Sequence, residues 1–259
     1  MKHRLLILSM LLISTGMNAS HAQVIDSLKG QAAFIFAYYP KESLQQEFEQ
    51  GYKQHLDWHR RNNDQLPWYA WYVQTGSRLG LFIDGTFGIS FRAFDNRVNR
   101  SEDAADFAKT TAPYAALAFR KVYKLRKDLS TTFLLENWNP TTGMEAFDIT
   151  VFPGAEKNFE HVFFEFVNAV EDTPNNPGIT LYQLISGDEH SGYLLLVPRN
   201  NFSYYDDDKA IINIKSLVET YVPDKAPALL EDLSRSIKRK TSETWQYRQD
   251  LSYFPEKKP

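Results

Sequence analysis

The feature that most constrains the fold of this 259-residue chain is an internal duplication. The segment FIFAYYPKE begins at Phe34 and matches FDITVFPGAE, which begins at Phe147, so that Pro40 and Pro153 lie 113 residues apart. Further matching pairs follow in the same order at offsets of 110–112 residues, ending with STTF at 130 and SETW at 242. Ordered matches at one spacing indicate a duplicated structural unit. We therefore expect two repeats, at 23–142 and 143–259.

The residue pattern of each repeat predicts strands and helices in the order β-α-β-β-α-β. Strands are predicted where β-branched and aromatic residues alternate between turn residues, and helices where apolar side chains recur every three to four positions. In the first repeat, the predicted strands are 31–40, 67–76, 79–88 and 131–138, and the predicted helices are 41–64 and 101–128. The residue pattern of the second repeat predicts the same order, with a last strand at 243–254. This is the order of the ferredoxin-like split βαβ unit.

The strand around WYAWYV predicts how the two units pack. Both of its alternating sets are apolar or aromatic: Trp68, Ala70 and Tyr72 on one face, and Tyr69, Trp71 and Val73 on the other. Such a strand is buried on both faces, although a ferredoxin-like sheet carries helices on one face only. The fold class is therefore α+β, with two tandem ferredoxin-like repeats packed sheet to sheet.

The segments GYKQHLDWHRRNND (51–64), PWYAWYVQTG (67–76) and GTFGISFRAFD (85–95) carry a resemblance to a known group of proteins. The chain resembles the NIPSNAP-type branch of the dimeric α+β barrel superfamily, with both halves of the barrel fused in one chain. The resemblance implies a barrel whose interior forms a ligand pocket. It also implies relatives that include cofactor-free oxygenases and haem proteins related to chlorite dismutase. No catalytic signature of those enzymes can be placed on residues of this sequence.

The first 22 residues have the pattern of a secretory signal peptide. Lys2 and Arg4 precede an apolar run at 5–13, and Ser20 and Ala22 are the small residues that signal peptidase requires. We therefore expect cleavage after Ala22 and a periplasmic or secreted protein. The mature chain has no apolar segment long enough to span a membrane. A net charge of −3 provides no basic field for a nucleic acid.

Two histidines on the first predicted helix are candidates for chemistry. His55 and His59 are four residues apart, so both imidazoles lie on one helical face and could reach one metal ion. Leu56 occupies the place of the glutamate in the H-E-x-x-H pattern of zinc proteases, and no spacing demands Asp84 or Glu136 as a third ligand. The sequence therefore predicts no metal site and no cofactor. Haem binding through His161 is less favoured by the sequence than metal binding by His55 and His59.

The ligand-binding candidates are the aromatic residues around this helix and polar residues in the predicted strands. Aromatic rings can stack on a flat ligand, and buried polar groups need partners and can orient a ligand. The alternation permits only one set, Trp68 with Tyr72 or Tyr69 with Trp71, to face the barrel interior. The candidates are Trp58, Trp68, Tyr69, Trp71, Tyr72, Gln74 and Glu136.

Two functions remain open from the sequence. In the first, the exported protein binds a small apolar or aromatic molecule in its barrel pocket without converting it, or acts chiefly as an interaction scaffold. In the second, it is an enzyme of the cofactor-free oxygenase or isomerase type, with His55, His59 or Asp84 as the acid or base. The first leads because no activating pair of residues can be identified. Haem or metal binding ranks below both, and the sequence leaves the protein partner unknown.

Overall fold

The computed structural model describes residues 28–171, 178–207, 210–211 and 213–256. The expected signal peptide lies outside this part of the chain. The first repeat contains β1 (Lys29–Pro40), α1 (Gln45–Arg61), β2 (Tyr69–Val73), β3 (Phe82–Ile89), α2 (Phe91–Asp95), α3 (Arg100–Thr110) and β4 (Ala115–Leu125). The second repeat contains β5 (Gly143–Val151), α4 (Glu156–Val170), β6 (Thr180–Ser186), β7 (Gly192–Arg199), α5 (Ile214–Tyr221), α6 (Ala226–Ser236) and β8 (Ile237–Tyr247).

The predicted fold class is confirmed. The eight strands form one closed barrel in the order β1-β3-β2-β8-β5-β7-β6-β4, and every neighbouring pair is antiparallel. Each repeat supplies four adjacent strands in the ferredoxin-like order. The repeats join at two seams, β2 with β8 and β4 with β6. Closure therefore pairs all the strand edges that two separate sheets would expose.

The position of the fourth strand in each repeat corrects the sequence prediction. β4 occupies Ala115–Leu125, inside the segment predicted to be helical, whereas residues 131–138 form turns and irregular structure. β8 likewise begins at Ile237, six residues before the predicted strand at 243. The alanines at the start of β4 favour a helix locally, but pairing with β1 and β6 on its two sides determines the outcome.

Aromatic side chains fill the barrel interior. Tyr69 and Trp71 of β2 point inward and stack with their ring centroids 5.6 Å apart. Phe87, Tyr182 and Trp245 pack around them, and all five rings are at most 2% exposed. A gap bordered by Leu135, Met144 and Leu196 has a volume of about 20 Å³, which holds little more than one water molecule. These rings therefore occupy the part of the barrel interior where the sequence predicts a ligand pocket.

A short motif after the last strand of each repeat ties the two repeats together. RKDLS begins at Arg126 and RQDLS begins at Arg248. Arg248 donates hydrogen bonds to Asp250 of its own motif and to Glu49 on α1 of the other repeat, at 2.7–3.0 Å. Arg126 makes the same pair of contacts with Asp128 and with Glu160 on α4.

The serine that ends each motif secures the neighbouring seam. The Ser130 hydroxyl donates to the Arg126 carbonyl and accepts from the Leu181 backbone N–H. In the other repeat, the Ser252 hydroxyl donates to the carbonyl of Arg248 and accepts from the backbone N–H of Ala70. We call residues 126–130 and 248–252 the clasps. They are related by the approximate twofold symmetry of the two repeats.

The outer faces of the barrel carry the helices. Phe159, Phe163 and Phe166 of α4 pack with α5 and α6 in a continuous apolar cluster over the second repeat. On the first repeat, α1 packs Phe48, Tyr52 and Leu56 against the sheet. None of the described helices combines the length and apolar character that a membrane span requires.

The clasps should contribute measurably to stability. We expect Arg248→Leu to lower the free energy of unfolding by about 1.5–3 kcal/mol, because it removes the charged donor of the Glu49 carboxylate and one of the two cations that contact Asp250. Urea denaturation of the wild type and the variant measures this change.

Arg60→Leu is the matched control for this prediction. It removes an exposed ion pair with Asp57 within one helix, and its cost should stay within about 0.5 kcal/mol. Equal costs for the two substitutions would show that the clasps do not hold the repeats together.

Candidate functional site

A cavity of about 410 Å³ lies outside the barrel, between the outer face of the first repeat's sheet and the helices α1 and α3. Its walls combine apolar rings and small side chains with a group of ionisable residues. The lining residues are Phe36, Tyr38, Tyr52, His55, His59, Trp68, Asp84, Arg97, Asp103, Ala104, Phe107, Ala108, Ala112, Ala115, Leu117 and Arg120. The volume is in the range of small-molecule binding sites.

Close packing of two helices forms this cavity. Gly51 of α1 is buried, and a Cβ atom at this position would lie 1.9 Å from the backbone oxygen of Thr110. The glycine therefore permits the C-terminal end of α3 to approach α1 directly. This contact places the acidic residues of α3 opposite the histidines of α1.

Asp84 is the most deeply buried acid of the cavity. It lies on β3 with its side chain on the outer face of the barrel, and it is 6% exposed. The Tyr52 hydroxyl donates a hydrogen bond of 2.8 Å to its Oδ2 atom, while Oδ1 is buried and has no hydrogen-bond partner among the described residues. Burial raises the pKa of Asp84 to about 7, although the bond from Tyr52 opposes this shift. Asp84 can therefore hold or release a proton near neutral pH.

His55 lies between two carboxylates of α3. Its Nδ1 atom is 2.9 Å from Asp106 Oδ2, and its Nε2 atom is 3.3 Å from Asp103 Oδ1. Burial lowers the pKa of His55, but hydrogen bonds to the two carboxylates outweigh burial and the net shift is upward. The pKa of Asp103 moves downward, because hydrogen bonding to His55 and the nearby positive charges outweigh its own burial.

His59 lies one turn further along α1 and is 4% exposed. Its Nδ1 atom is 2.8 Å from Asp64 Oδ2, at an angle outside hydrogen-bond geometry, so the contact is electrostatic. Its Nε2 atom is 3.8 Å from Asp103 Oδ1. Asp64 is held in place by the Trp68 indole N–H at 2.9 Å and the Leu66 backbone N–H at 3.1 Å.

The structure brings the three acid–base candidates, His55, His59 and Asp84, to one cavity. Of the ligand-binding candidates, Trp68 lines the same cavity. Trp58 stacks on His55 with ring centroids 6.2 Å apart and so lies behind the imidazole.

The remaining ligand-binding candidates lie away from this cavity. Tyr69 and Trp71 are inside the barrel, whereas Tyr72 packs on Phe82 under α1. Gln74 is exposed, and Glu136 accepts a hydrogen bond from the Tyr182 hydroxyl at the barrel end.

His161, the haem-ligand candidate, lies on the solvent side of α4. Its side chain is 50% exposed, and its Nε2 atom is 3.8 Å from Glu165. Neither the 410 Å³ cavity nor the 20 Å³ gap is lined by this histidine. The structure therefore gives no support to a haem at this position.

Sequence reasoning missed several residues of the site. Tyr52, Arg97, Asp103 and Arg120 line the cavity, and Asp106 contacts His55. A position-by-position comparison of the two repeats reveals part of the site. At an offset of 111 residues, Tyr52, His55, His59 and Asp84 correspond to Phe163, Phe166, Val170 and Leu195. All four counterparts are buried in the apolar cluster of the second repeat. The fold therefore does not require polar side chains at these positions, because the second repeat fills them with apolar ones.

The buried Asp84 should make stability depend on pH. Its pKa is raised in the folded state, so the folded protein binds more protons than the unfolded chain between about pH 4 and 7, and stability falls as the pH rises through this range. Relative to Asp84→Asn, we expect the wild type to lose on the order of 1–4 kcal/mol between pH 4 and pH 8. Urea denaturation of metal-free protein at each pH measures this difference.

The exposed Asp57→Asn variant is the control for the pH experiment. A pH-independent difference between the wild type and Asp84→Asn would mean that Asp84 is ionised with an ordinary pKa.

No known family's sequence model matches this chain, and no curated protein matches it by sequence. Solved structures match its fold. One is a "putative monooxygenase" from Lactobacillus acidophilus, with 13% identity and a TM-score of 0.53 over 87% of this chain and 97% of the other. Another is a "putative chlorite dismutase", with 10% identity and a TM-score of 0.52 over 86% and 97%. At such identities the likeness shows the fold alone, which is that of the dimeric α+β barrels.

Proposed function

We propose that this protein binds a small, largely apolar organic molecule in the cavity of the first repeat and that Asp84 exchanges a proton with it. The observation that carries the proposal is the state of the Asp84 carboxyl group. One oxygen is fixed by Tyr52, and the other is buried at the cavity without a partner among the described residues. An unpaired buried oxygen costs free energy, and a ligand with an acidic proton would supply the missing hydrogen bond.

The acidity of Asp84 supports a role in proton transfer. General acids and bases work best when their pKa lies near the operating pH. Burial brings the pKa of Asp84 to about 7, whereas an exposed aspartate would be a much weaker base. The hydrogen bond from Tyr52 fixes the orientation of the carboxyl group.

The charges around the cavity indicate the kind of substrate. Arg120 and Arg97 line it, and the Arg97 guanidinium is 3.6 Å from Asp103 while Arg120 lies over the ring of Phe36. Removal of a proton from a phenol, or from the carbon beside a carbonyl group, leaves a negatively charged oxygen that a guanidinium stabilises. We therefore propose phenols and aryl ketones of one or two rings as the substrate class.

Binding without conversion is the second candidate function. The wall formed by Phe36, Tyr38, Trp68 and Phe107 supports it, since such rings pack on a flat molecule without any chemistry. The same cavity serves both functions, and they differ only in whether Asp84 exchanges a proton with the bound molecule.

Two finer assignments are proposals as well. The resemblance of residues 51–95 to NIPSNAP-type proteins supports placing the chain near that branch of the barrel fold. The oxidative activity named for the similar monooxygenase structure is compatible with an enzyme that acts on small molecules.

The pattern of residues 1–22 supports export, and N-terminal sequencing of the processed protein would test cleavage after Ala22.

Blocking the cavity should prevent binding. Ala108 of α3 is exposed and lines the cavity, so Ala108→Trp would fill part of it without disturbing the core. We expect ligands found by thermal-shift screening of phenols and aryl ketones to bind at least tenfold more weakly to this variant. Titration calorimetry measures the affinities.

Ala105→Trp is the matched control for the cavity experiment. Ala105 is exposed on the same helix but does not line the cavity. If both tryptophan variants bind the ligands as tightly as the wild type, the binding site lies elsewhere on the protein.

Proton transfer is tested separately from binding. For an aryl ketone that binds, we expect the wild type to accelerate exchange of the proton beside the carbonyl group with deuterium from solvent, as followed by proton NMR. Asp84→Asn should bind the ketone within a few-fold of the wild type but slow the exchange at least a hundredfold, in the range expected for loss of a general base. Binding by both proteins without any exchange would favour the binding function and exclude the acid–base role.

A further inference from the structure

We propose that His55, His59 and Asp103 form a binding site for one divalent transition-metal ion, of which zinc is the representative probe. The two histidines lie one turn apart on α1, and the aspartate faces them from α3. The three residues offer one ligand atom each, and these atoms lie within 4.8 Å of one another. This site is separate from the proton-transfer role of Asp84 and does not depend on it.

The distances between the three groups fit a metal ion. The Nε2 atoms of His55 and His59 lie 3.3 and 3.8 Å from Asp103 Oδ1. Zinc binds nitrogen and oxygen ligands at about 2.0–2.2 Å with tetrahedral geometry, so two ligand atoms around it lie roughly 3.4 Å apart. The nitrogens are therefore already close to the required separation from the carboxylate oxygen.

A carboxylate also stands behind each imidazole. The Nδ1 atom of His55 is 2.9 Å from Asp106, and that of His59 is 2.8 Å from Asp64. In metal sites, the ring nitrogen that does not bind the ion is usually directed at a carboxylate or carbonyl group, which fixes the ring and makes the ligand more basic. His55 has this arrangement. His59 has the carboxylate at a suitable distance but outside hydrogen-bond geometry, and the Nε2 atoms of both rings lie on the side of Asp103.

The local charge also favours a cation. Asp64, Asp103 and Asp106 surround two imidazoles, and among the described residues the guanidinium paired with Asp103 is that of Arg97, at 3.6 Å. If the imidazoles are neutral, the acidic groups exceed the basic ones, and a divalent ion would restore the balance. If the imidazoles are protonated instead, the cluster is an ion-pair network that holds α1 to α3. The experiment below separates these two cases.

The ligand set indicates which ions would bind. Two imidazoles and one carboxylate suit zinc or iron(II), and they leave at least one coordination position for water or another ligand. All three residues line the 410 Å³ cavity, so a molecule in the cavity could reach that position.

Metal binding is tested on the full mature protein after removal of metal with a chelator. We expect titration calorimetry to show one zinc ion per chain, and cobalt(II) to give the visible absorption bands of a four- or five-coordinate site. Asp103→Asn should weaken zinc binding at least tenfold. The side chain of Asp103 is 16% exposed at the helix surface, so this variant should fold.

Glu102→Gln is the matched control, since Glu102 is the exposed neighbour of Asp103 on α3 and does not line the cavity. It should bind zinc like the wild type, as should His161→Ala, which removes an exposed histidine. His59→Gln, with folding verified by circular dichroism, should bind as weakly as Asp103→Asn.

Three results would overturn the proposal: no zinc binding by the wild type, equal binding by Asp103→Asn and Glu102→Gln, or binding that is lost in His161→Ala. The first would assign the cluster to ion pairing alone. The outcome is independent of the ketone-exchange experiment, which compares the wild type with Asp84→Asn and is run on metal-free protein.

Discussion

Hydrogen bonding between strand edges of the two repeats is the constraint on which the rest of the structure depends. A single four-stranded repeat would expose two edges and the face of its sheet that carries no helices. Pairing of β2 with β8 and of β4 with β6 removes all four edges, and the clasps at Arg126 and Arg248 fasten each seam to a helix of the opposite repeat. Closure also brings large rings from both repeats into a narrow interior. These rings fill much of that interior, and the 410 Å³ cavity of the first repeat lies instead between sheet and helices.

The two repeats use this space between sheet and helices differently. In the second repeat, Phe163, Phe166, Val170 and Leu195 fill it with apolar atoms. In the first repeat, the corresponding positions carry Tyr52, His55, His59 and Asp84, and a cavity remains. Packing alone does not explain the polar residues of the first repeat, because apolar residues fill the corresponding positions of the second repeat in the same chain. Burial of polar groups that lack full hydrogen bonding costs stability, which natural proteins accept mainly at functional sites.

Much of the fold could be predicted from the sequence because the duplication is independent of any single helix or strand assignment. The match of Ser130 with Ser242 misplaces the fourth strands, because its offset of 112 residues differs from the offset between β4 and β8. β8 starts at Ile237, 122 residues after β4 starts at Ala115, and the RKDLS and RQDLS clasps repeat at the same 122 residues. A search for that motif would have ended both strands correctly.

The site was less predictable than the fold, for a physical reason. His55 and His59 share a helical face that the sequence shows, but their partners lie on other segments whose positions depend on tertiary packing. Asp103 reaches them because Gly51 lets α3 approach α1 until a Cβ atom would collide with Thr110. The spacing of residues along the chain does not predict that the two helices lie this close together. The absence of a glutamate after His55 excludes the zinc-protease arrangement, yet it says nothing about a carboxylate supplied from a second helix. The tertiary fold therefore supplies the third ligand candidate, Asp103. The spacing of the two histidines along the chain is not sufficient to identify it.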